Sequence, residues 1–157
     1  MTELKDILYK VTINAVVGST SVKVNAVDFD SRKISKNDVF VAIKGSVADG
    51  HKFIDVAINN GAVAIICEEL PINLQDGITY IQVESASQAL AFMASNYYEN
   101  PSENLKLVGV TGTNGKTTVA TLLYQLFKKA GYKVGLLSTV KIMVDDKEYK
   151  ATHTTPD

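Results

Sequence analysis

The run TGTNGKTT at residues 111–118 combines residue types that suit phosphate binding. Gly112 and Gly115 allow the backbone to turn its N–H groups towards phosphate oxygens without a Cβ in the way. Lys116 can reach the outer phosphates of a nucleotide, and the Thr117 hydroxyl is suited to ligate Mg²⁺. We therefore predict an ATP-binding loop with Lys116 as its catalytic residue and Thr117 as its metal ligand. The predicted ATP-binding residues are Gly112, Thr113, Asn114, Gly115, Lys116, Thr117 and Thr118.

This loop departs from the strict phosphate-loop template at one position. The template has glycine six residues before the lysine, and Val110 stands there instead. The alternative interpretation is a glycine-bearing turn between a strand and a helix, with an incidental lysine. We favour the phosphate loop because the strand, the glycines, the lysine, the paired threonines and the helix occur together.

Hydrophobic periodicity predicts the elements that position this loop. The near-continuous apolar run at 105–111 is typical of a strand buried in a parallel sheet. A helix is predicted over 117–130 and a further strand over 133–138, which would complete a βαβ unit. The segment 141–150 is predicted to be a hairpin turning at 145–146. The apolar residues Leu123, Leu126, Phe127 and Ala130 are expected on one side of this helix.

The first hundred residues predict a small α/β unit. Ser85 and Gln88 form a capping box for a helix that runs to about Tyr98. Its expected inner stripe consists of Leu90, Met93 and Tyr97. A second helix is predicted over 51–60. His51 is expected at the start of this helix and Lys44 on the protein surface, and neither is expected to act in chemistry. The predicted strands are Val22–Phe29, Val39–Ile43, Ala62–Cys67 and Thr79–Val83.

The polar segment 100–104 contains Pro101 and predicts a domain boundary. We expect an α/β fold with a small substrate domain over 1–104 and the start of a parallel-sheet ATP-binding domain over 105–157. A phosphate-loop ATPase needs a sheet of several strands and an acidic metal ligand on another strand. We therefore expect the second domain to be truncated and the chain to be the front part of a longer enzyme.

The composition argues against several classes of protein. The formal net charge is -1, so there is no basic excess for nucleic acid. The longest clean apolar run, 62–67, is far shorter than the about 20 residues that cross a bilayer, so no membrane partner is expected. Cys67 is the single cysteine, and the N-terminus lacks a secretory pattern. We therefore expect a cytoplasmic protein.

The loop sequence GTNGKTT after LVGVT resembles the ATP site of the Mur ligases, the amide-forming enzymes of peptidoglycan precursor synthesis. The motifs FDSR, DVFVAIKG, DGHKFI and GA in the first hundred residues strengthen this resemblance. Their layout is similar to that of the ligases that add the third residue or the terminal dipeptide to UDP-N-acetylmuramoyl-peptides. The ending HTTPD favours the third-residue group. The resemblance covers nearly all of the chain and only the front part of that family's usual length.

The resemblance also implies the substrates and the site residues. ATP would phosphorylate the D-glutamate carboxylate of UDP-N-acetylmuramoyl-L-alanyl-D-glutamate, with Mg²⁺ present. The amine of an incoming amino acid, diaminopimelate or lysine, would then attack the acyl phosphate. Groups that select this amino acid should lie beyond Asp157, so the chain alone is expected to be inactive in ligation. The implied substrate contacts are Phe29, Ser31, Ser46, Val47 and Ala48 for the uridine part and His153, Thr154 and Thr155 for the sugar-peptide part.

Other functions remain open at this point. The chain could belong to the related dipeptide-adding ligase, or it could be a free-standing module that binds UDP-sugars. It could also be part of a phosphate-loop regulator that hydrolyses nucleotide to switch partners. The module predicts uridine nucleotide binding with no role for Lys116, whereas the regulator predicts ATP hydrolysis without a muramoyl-peptide.

Overall fold

The computed structural model describes residues 2–45 and 48–150. The chain divides into two compact units, Met1–Leu105 and Lys106–Asp157. Five of the predicted substrate-contact residues lie outside the described residues. They are Ser46, Val47, His153, Thr154 and Thr155.

The first unit alternates short strands with helices. Two 3₁₀ turns, Gly50–Phe53 and Pro101–Asn104, accompany the regular elements. In chain order the elements are β1 (Thr2–Glu3), α1 (Leu4–Ile7), β2 (Ile13–Val17), β3 (Lys23–Val24), β4 (Val27–Asp28), β5 (Val39–Val41), α2 (Ile54–Asn59), β6 (Ala64–Cys67), β7 (Thr79–Val83) and α3 (Ala86–Tyr97).

Five of these strands form the main sheet, in the order β2-β7-β6-β5-β4. β4, β5, β6 and β7 run parallel to one another, and β2 joins β7 as an antiparallel edge. β1 and β3 form a separate antiparallel pair. Because the four parallel strands point the same way, the loops that follow their carboxyl ends meet at one edge of the sheet. The predicted α/β class with a parallel sheet is thus confirmed.

Apolar side chains cover both faces of the central strands, as expected for parallel strands between helices. Alternation along each strand sends neighbouring residues to opposite faces. One face, with Val39, Val41, Ile66 and Ile81, packs against α1 and α3. The other face, with Phe40, Ala42, Ile65 and Tyr80, packs against α2.

Several predicted elements of the first unit are confirmed. β7 has the predicted bounds, and β5 and β6 fall inside their predicted ranges. The Ser85 side chain caps α3 by accepting a hydrogen bond from the Gln88 backbone N–H at 3.3 Å. Met93 is fully buried, and Leu90 and Tyr97 are partly buried against the same core. The inner stripe of α3 is therefore a packing surface.

Other predictions for this unit were wrong in detail. The segment 22–29 is not one strand but β3 and β4, which belong to different sheets. The chain bends between them because the Asn25 backbone N–H and side chain bond to the Asn37 and Lys36 carbonyls, each at 2.9 Å. The helix predicted from His51 begins as a 3₁₀ turn and becomes α-helical only at Ile54. The strand β2 and the helix α1 were not predicted.

The second unit contains one long helix and a small sheet. α4 (Lys116–Lys129) is followed by β8 (Gly135–Leu137), β9 (Lys141–Val144) and β10 (Lys147–Lys150). The three strands pair antiparallel in the order β10-β9-β8. The predicted hairpin is confirmed, and Asp145 at its turn has a φ of 51°.

The strand predicted over 105–111 is wrong for the described residues. Lys106–Thr111 carries no strand, and Leu107 and Val108 are 75% and 65% exposed. A strand needs a hydrogen-bonded neighbour, and β8 pairs with β9 rather than with this segment. The described residues therefore contain no βαβ unit in the second half of the chain.

The apolar side predicted for α4 is not its buried side. Tyr124 is the buried residue of this helix, and its hydroxyl donates to the Asp145 carbonyl. The four residues predicted to share one side of the helix are exposed or half-buried; they are Leu123, Leu126, Phe127 and Ala130. Helical periodicity identifies an apolar stripe, but only a packing partner decides which side of the helix is covered.

No helix among residues 2–45 and 48–150 is both long enough and apolar enough to span a bilayer.

Candidate functional site

The carboxyl edge of the parallel sheet carries the described part of the predicted substrate site. Phe29 and Ser31 lie in the loop that follows β4, and Ala48 lies in the loop that follows β5. β4 and β5 are parallel neighbours in which Asp28 pairs with Phe40. The topology therefore brings both loops to the same edge of the sheet, where ligands of open α/β sheets bind.

Carboxylates organise the loop after β4. Asp28 Oδ1 accepts the Asp30 backbone N–H at 2.8 Å. Asp30 in turn accepts the Arg32 backbone N–H at 3.1 Å and two guanidinium N–H groups at 2.8 Å. Ser31 is 8% exposed, and its carbonyl accepts a hydrogen bond from the Asn60 side chain at 2.8 Å. Ser31 is thus held in place, while the neighbouring Phe29 ring is 39% exposed.

The ion pair in this loop has a testable effect on titration. Side-chain and backbone hydrogen bonds from Arg32 lower the pKa of Asp30 to about 2. The pKa of Asp30 in the folded loop lies below the ordinary pKa of a carboxyl group. The pair therefore stabilises the folded loop fully at pH values above that ordinary pKa. That contribution is lost as the pH falls towards about 2. We expect Arg32→Ala to raise the Asp30 pKa, because the guanidinium bonds are lost.

Carboxyl ¹³C NMR titration measures this change. Lys33→Ala is the matched control, because the Lys33 charge lowers the Asp30 pKa less than any contribution of Arg32 does. It should leave the Asp30 pKa nearly unchanged. An Asp30 pKa that stays near 2 in Arg32→Ala would contradict the pairing.

We call the chain after β5, residues 43–50, the β5 loop; within it, the described residues 43–45 pair with residues 48–50. The Gly50 N–H donates to the Ile43 carbonyl at 2.8 Å, and a Cβ on Gly50 would lie 2.7 Å from the Ile43 N and O atoms. Lys44 and Asp49 form a β-bridge, and the Gly45 N–H donates to the Ala48 carbonyl at 3.0 Å. Glycine is therefore required at position 50 for the two strands of the loop to approach.

His51 follows the β5 loop and makes contacts that the sequence did not predict. Its Nδ1 lies 2.7 Å from Asp49 Oδ1. Its Nε2 lies 3.0 Å from the Glu68 backbone N and 3.2 Å from the Glu69 backbone N. The prediction placed His51 correctly at a helix start and missed its contact with the end of β6. Asp49 lies only two residues before His51, but their bond was not predicted, and nothing in the sequence indicated Glu68 and Glu69.

The predicted phosphate loop in the second unit has the backbone expected of it. Gly112 and Gly115 have φ values of 146° and 78°, in the region that favours glycine. Gly115 is the N-cap of α4, a helix of 14 residues. The first N–H groups of such a helix have no intrahelical partner and face an approaching anion. The loop therefore suits a phosphate group.

The seven predicted ATP-binding residues lie together in this loop and the first turn of α4. The Lys116 ammonium donates to the Gly112 carbonyl and to the Thr113 carbonyl, the latter at 3.4 Å. Thr117 is half-buried, and its carbonyl accepts the Thr121 hydroxyl at 2.7 Å. Among residues 2–45 and 48–150, no cluster of three or more His, Cys, Asp or Glu side chains could hold a metal. Within the described part of the chain, the loop therefore offers Mg²⁺ the Thr117 hydroxyl, and no carboxylate cluster accompanies it.

Comparison with known proteins gave matches over nearly the whole chain. The model of the "Mur ligase family, catalytic domain" matches residues 23–98, and that of the "Mur ligase middle domain" matches residues 110–157. The UDP-N-acetylmuramoyl-L-alanyl-D-glutamate--2,6-diaminopimelate ligase of Cytophaga hutchinsonii is 55% identical over 99% of this chain and 32% of its own length. The chain thus spans about a third of the curated relatives it matches.

Solved structures are similar in fold as well. The structure of a UDP-N-acetylmuramoyl-L-alanyl-D-glutamate--2,6-diaminopimelate ligase matches 99% of this chain and 31% of its own length, with a TM-score of 0.72. Its sequence identity to this chain is 23%, so this match shows a similar fold and nothing more. A MurF ligase from Thermotoga maritima in complex with ADP matches 66% of this chain and 23% of its own. That match has a TM-score of 0.51 at 40% identity.

Proposed function

The chain belongs to the Mur ligase family, and on that premise we propose that it is the N-terminal part of an ATP-dependent ligase. The proposed reaction adds diaminopimelate to UDP-N-acetylmuramoyl-L-alanyl-D-glutamate in peptidoglycan synthesis. The observation that carries the proposal is the 55% identity, over 99% of this chain, to a relative named for that reaction. The cytoplasm, where these precursors are made, is the proposed location, and roles in cell shape and division would follow from the reaction.

The proposal assigns the uridine part of the substrate to the first unit. Phe29 exposes its ring at the carboxyl edge of the sheet, and Ser31 presents a short polar side chain two residues later. An exposed aromatic ring is a surface on which a base can stack, and a hydroxyl can hydrogen-bond to it. Ala48 contributes backbone groups from the β5 loop. The remaining proposed contacts are Ser46 and Val47 in that loop and His153, Thr154 and Thr155 further along the chain.

The second unit would bind ATP and transfer its outer phosphate. Backbone N–H groups at the start of α4 suit the phosphate oxygens. The Lys116 ammonium is hydrogen-bonded to carbonyls of the loop. From there it would reach an outer phosphate and offset the negative charge that develops during phosphoryl transfer. Mg²⁺ at Thr117 would share that charge. Oxygen of the D-glutamate carboxylate attacks the outer phosphorus and ADP leaves; the amine then displaces phosphate and loses a proton to form the amide.

Ser31 tests the substrate assignment directly. We expect Ser31→Ala to weaken binding of UDP by about 0.5–1.5 kcal/mol, the usual value of one hydrogen bond. Titration calorimetry of the chain with UDP measures the change. Ser35→Ala is the matched control, because Ser35 is an exposed serine four residues further on and should not contact the ligand.

Two results of this titration would count against the proposal. Equal UDP affinity in the wild type and Ser31→Ala would remove Ser31 from the site. An equal loss in Ser35→Ala would mean that the whole region had been disturbed.

A further inference from the structure

We propose that His51 is a positioning residue, a neutral imidazole that fixes the β5 loop against the carboxyl end of β6. This inference rests on the proposed function, because the β5 loop carries part of the proposed uridine site. His51 itself need not touch the substrate. It would act by holding the backbone on which the substrate contacts are built.

The hydrogen-bond partners of His51 define its protonation state. The Glu68 and Glu69 backbone N–H groups can only donate, and they lie 3.0 and 3.2 Å from Nε2. Nε2 must therefore carry a lone pair and no proton. The ring proton then resides on Nδ1, where Asp49 Oδ1 accepts it at 2.7 Å. The imidazole is thus neutral and protonated at Nδ1.

These contacts place His51 between two segments that are distant in sequence. Asp49 accepts both the His51 backbone N–H at 3.0 Å and the ring N–H, so the end of the β5 loop is fixed to the imidazole. The opposite side of the ring holds the chain just after β6. The contacts continue to α3, because Glu68 Oε1 accepts the Ala86 backbone N–H at 2.9 Å. One ring therefore links the β5 loop to β6 and, through Glu68, to the start of α3.

Long-range ¹H–¹⁵N NMR of the chain tests the protonation state without any ligand. Near neutral pH we expect His51 to show a protonated Nδ1 and an unprotonated Nε2. The chain contains two histidines, so His51→Gln assigns the resonance by its loss. In His51→Ala, the Glu68 and Glu69 amide resonances should shift, because the acceptor of both N–H groups is lost. A protonated Nε2 in the wild type, or Glu68 and Glu69 amide resonances that stay unchanged in His51→Ala, would overturn the inference.

UDP titrations test whether this link positions the proposed site. His51→Ala removes all three ring contacts, and we expect about tenfold weaker binding. Glutamine keeps an acceptor near the position of Nε2, so His51→Gln should stay within about threefold of the wild type.

The outcomes separate this inference from the proposed function. Wild-type chain that does not bind UDP would overturn the proposed function, while the NMR result would still decide the state of His51. Equal affinity in the wild type, His51→Ala and His51→Gln would overturn the positioning role. Should His51→Ala fail to fold, the protonation state of the wild-type ring decides: a protonated Nε2 would overturn the inference.

Discussion

Replacing Phe40 with alanine is expected to lower the free energy of unfolding of the first unit by about 3–5 kcal/mol. Phe40 lies in β5, the strand between β4 and β6, and its side chain has no solvent exposure. The ring packs in the cluster beneath α2, and its removal leaves a cavity in that cluster. The same strand leads into the β5 loop, so binding of UDP should be lost with the fold.

Urea unfolding followed by circular dichroism measures this effect. Phe53→Ala is the matched control, because Phe53 is the same residue type at the end of the 3₁₀ turn and is 41% exposed. It should cost less than about 1 kcal/mol, as surface substitutions usually do. Similar losses in the two variants would mean that β5 is not the centre of the core.

The sequence predicted well those segments whose structural signals lie within a few consecutive residues. β6 is an apolar run of four residues and β7 is a five-residue run of mostly β-branched and aromatic residues, and their packing partners on both faces come from the same unit. The Ser85 cap of α3 depends on residues three apart in the chain. In each case the information lies within a short window, and the surrounding fold agrees with it.

Elements whose structure depends on a distant partner were not predicted. β2 is a strand because it pairs with β7 across the sheet, and three of its apolar residues remain exposed. The run Leu105–Thr111 has the composition of a buried strand, yet its leucines and Val108 are exposed in the described structure. Composition indicates what a segment can form, and the pairing partner decides whether it forms.

In the candidate site, too, the features that depend on neighbouring residues could be predicted, and those that depend on distant residues could not. The turn at Gly112 and Gly115 and the helix after it could be predicted, because the signals for them lie within eight consecutive residues; phosphate binding by this loop stays a prediction. The role of His51 could not be predicted, because its ring bonds to Glu68 and Glu69, 17 and 18 residues away in the chain. The Asp30 and Arg32 pair is intermediate, since its partners are two residues apart but its strength depends on the turn between them.

Substitution of the loop lysine has the largest effect that we expect on the proposed reaction. In the full-length ligase, Lys116→Ala removes a positive charge from the outer phosphates and leaves the backbone of Gly112 and Gly115 in place. Affinity for ATP should fall only modestly. The rate of ligation should fall by a factor of about 10²–10³, the loss seen when one preorganised electrostatic partner is removed. Phosphate release in the presence of the UDP-muramoyl-dipeptide and diaminopimelate measures the rate.

Two further variants separate the role of Lys116 from general damage to α4. Lys129→Ala removes an exposed lysine from the last turn of the same helix and should leave turnover nearly unchanged. Thr117→Ala should act through Mg²⁺, so raising the metal concentration should restore part of its activity, whereas no metal concentration should restore Lys116→Ala. Near-normal turnover in Lys116→Ala would mean that the loop is only a structural turn, because the charge that the proposed phosphoryl transfer requires would then have no function.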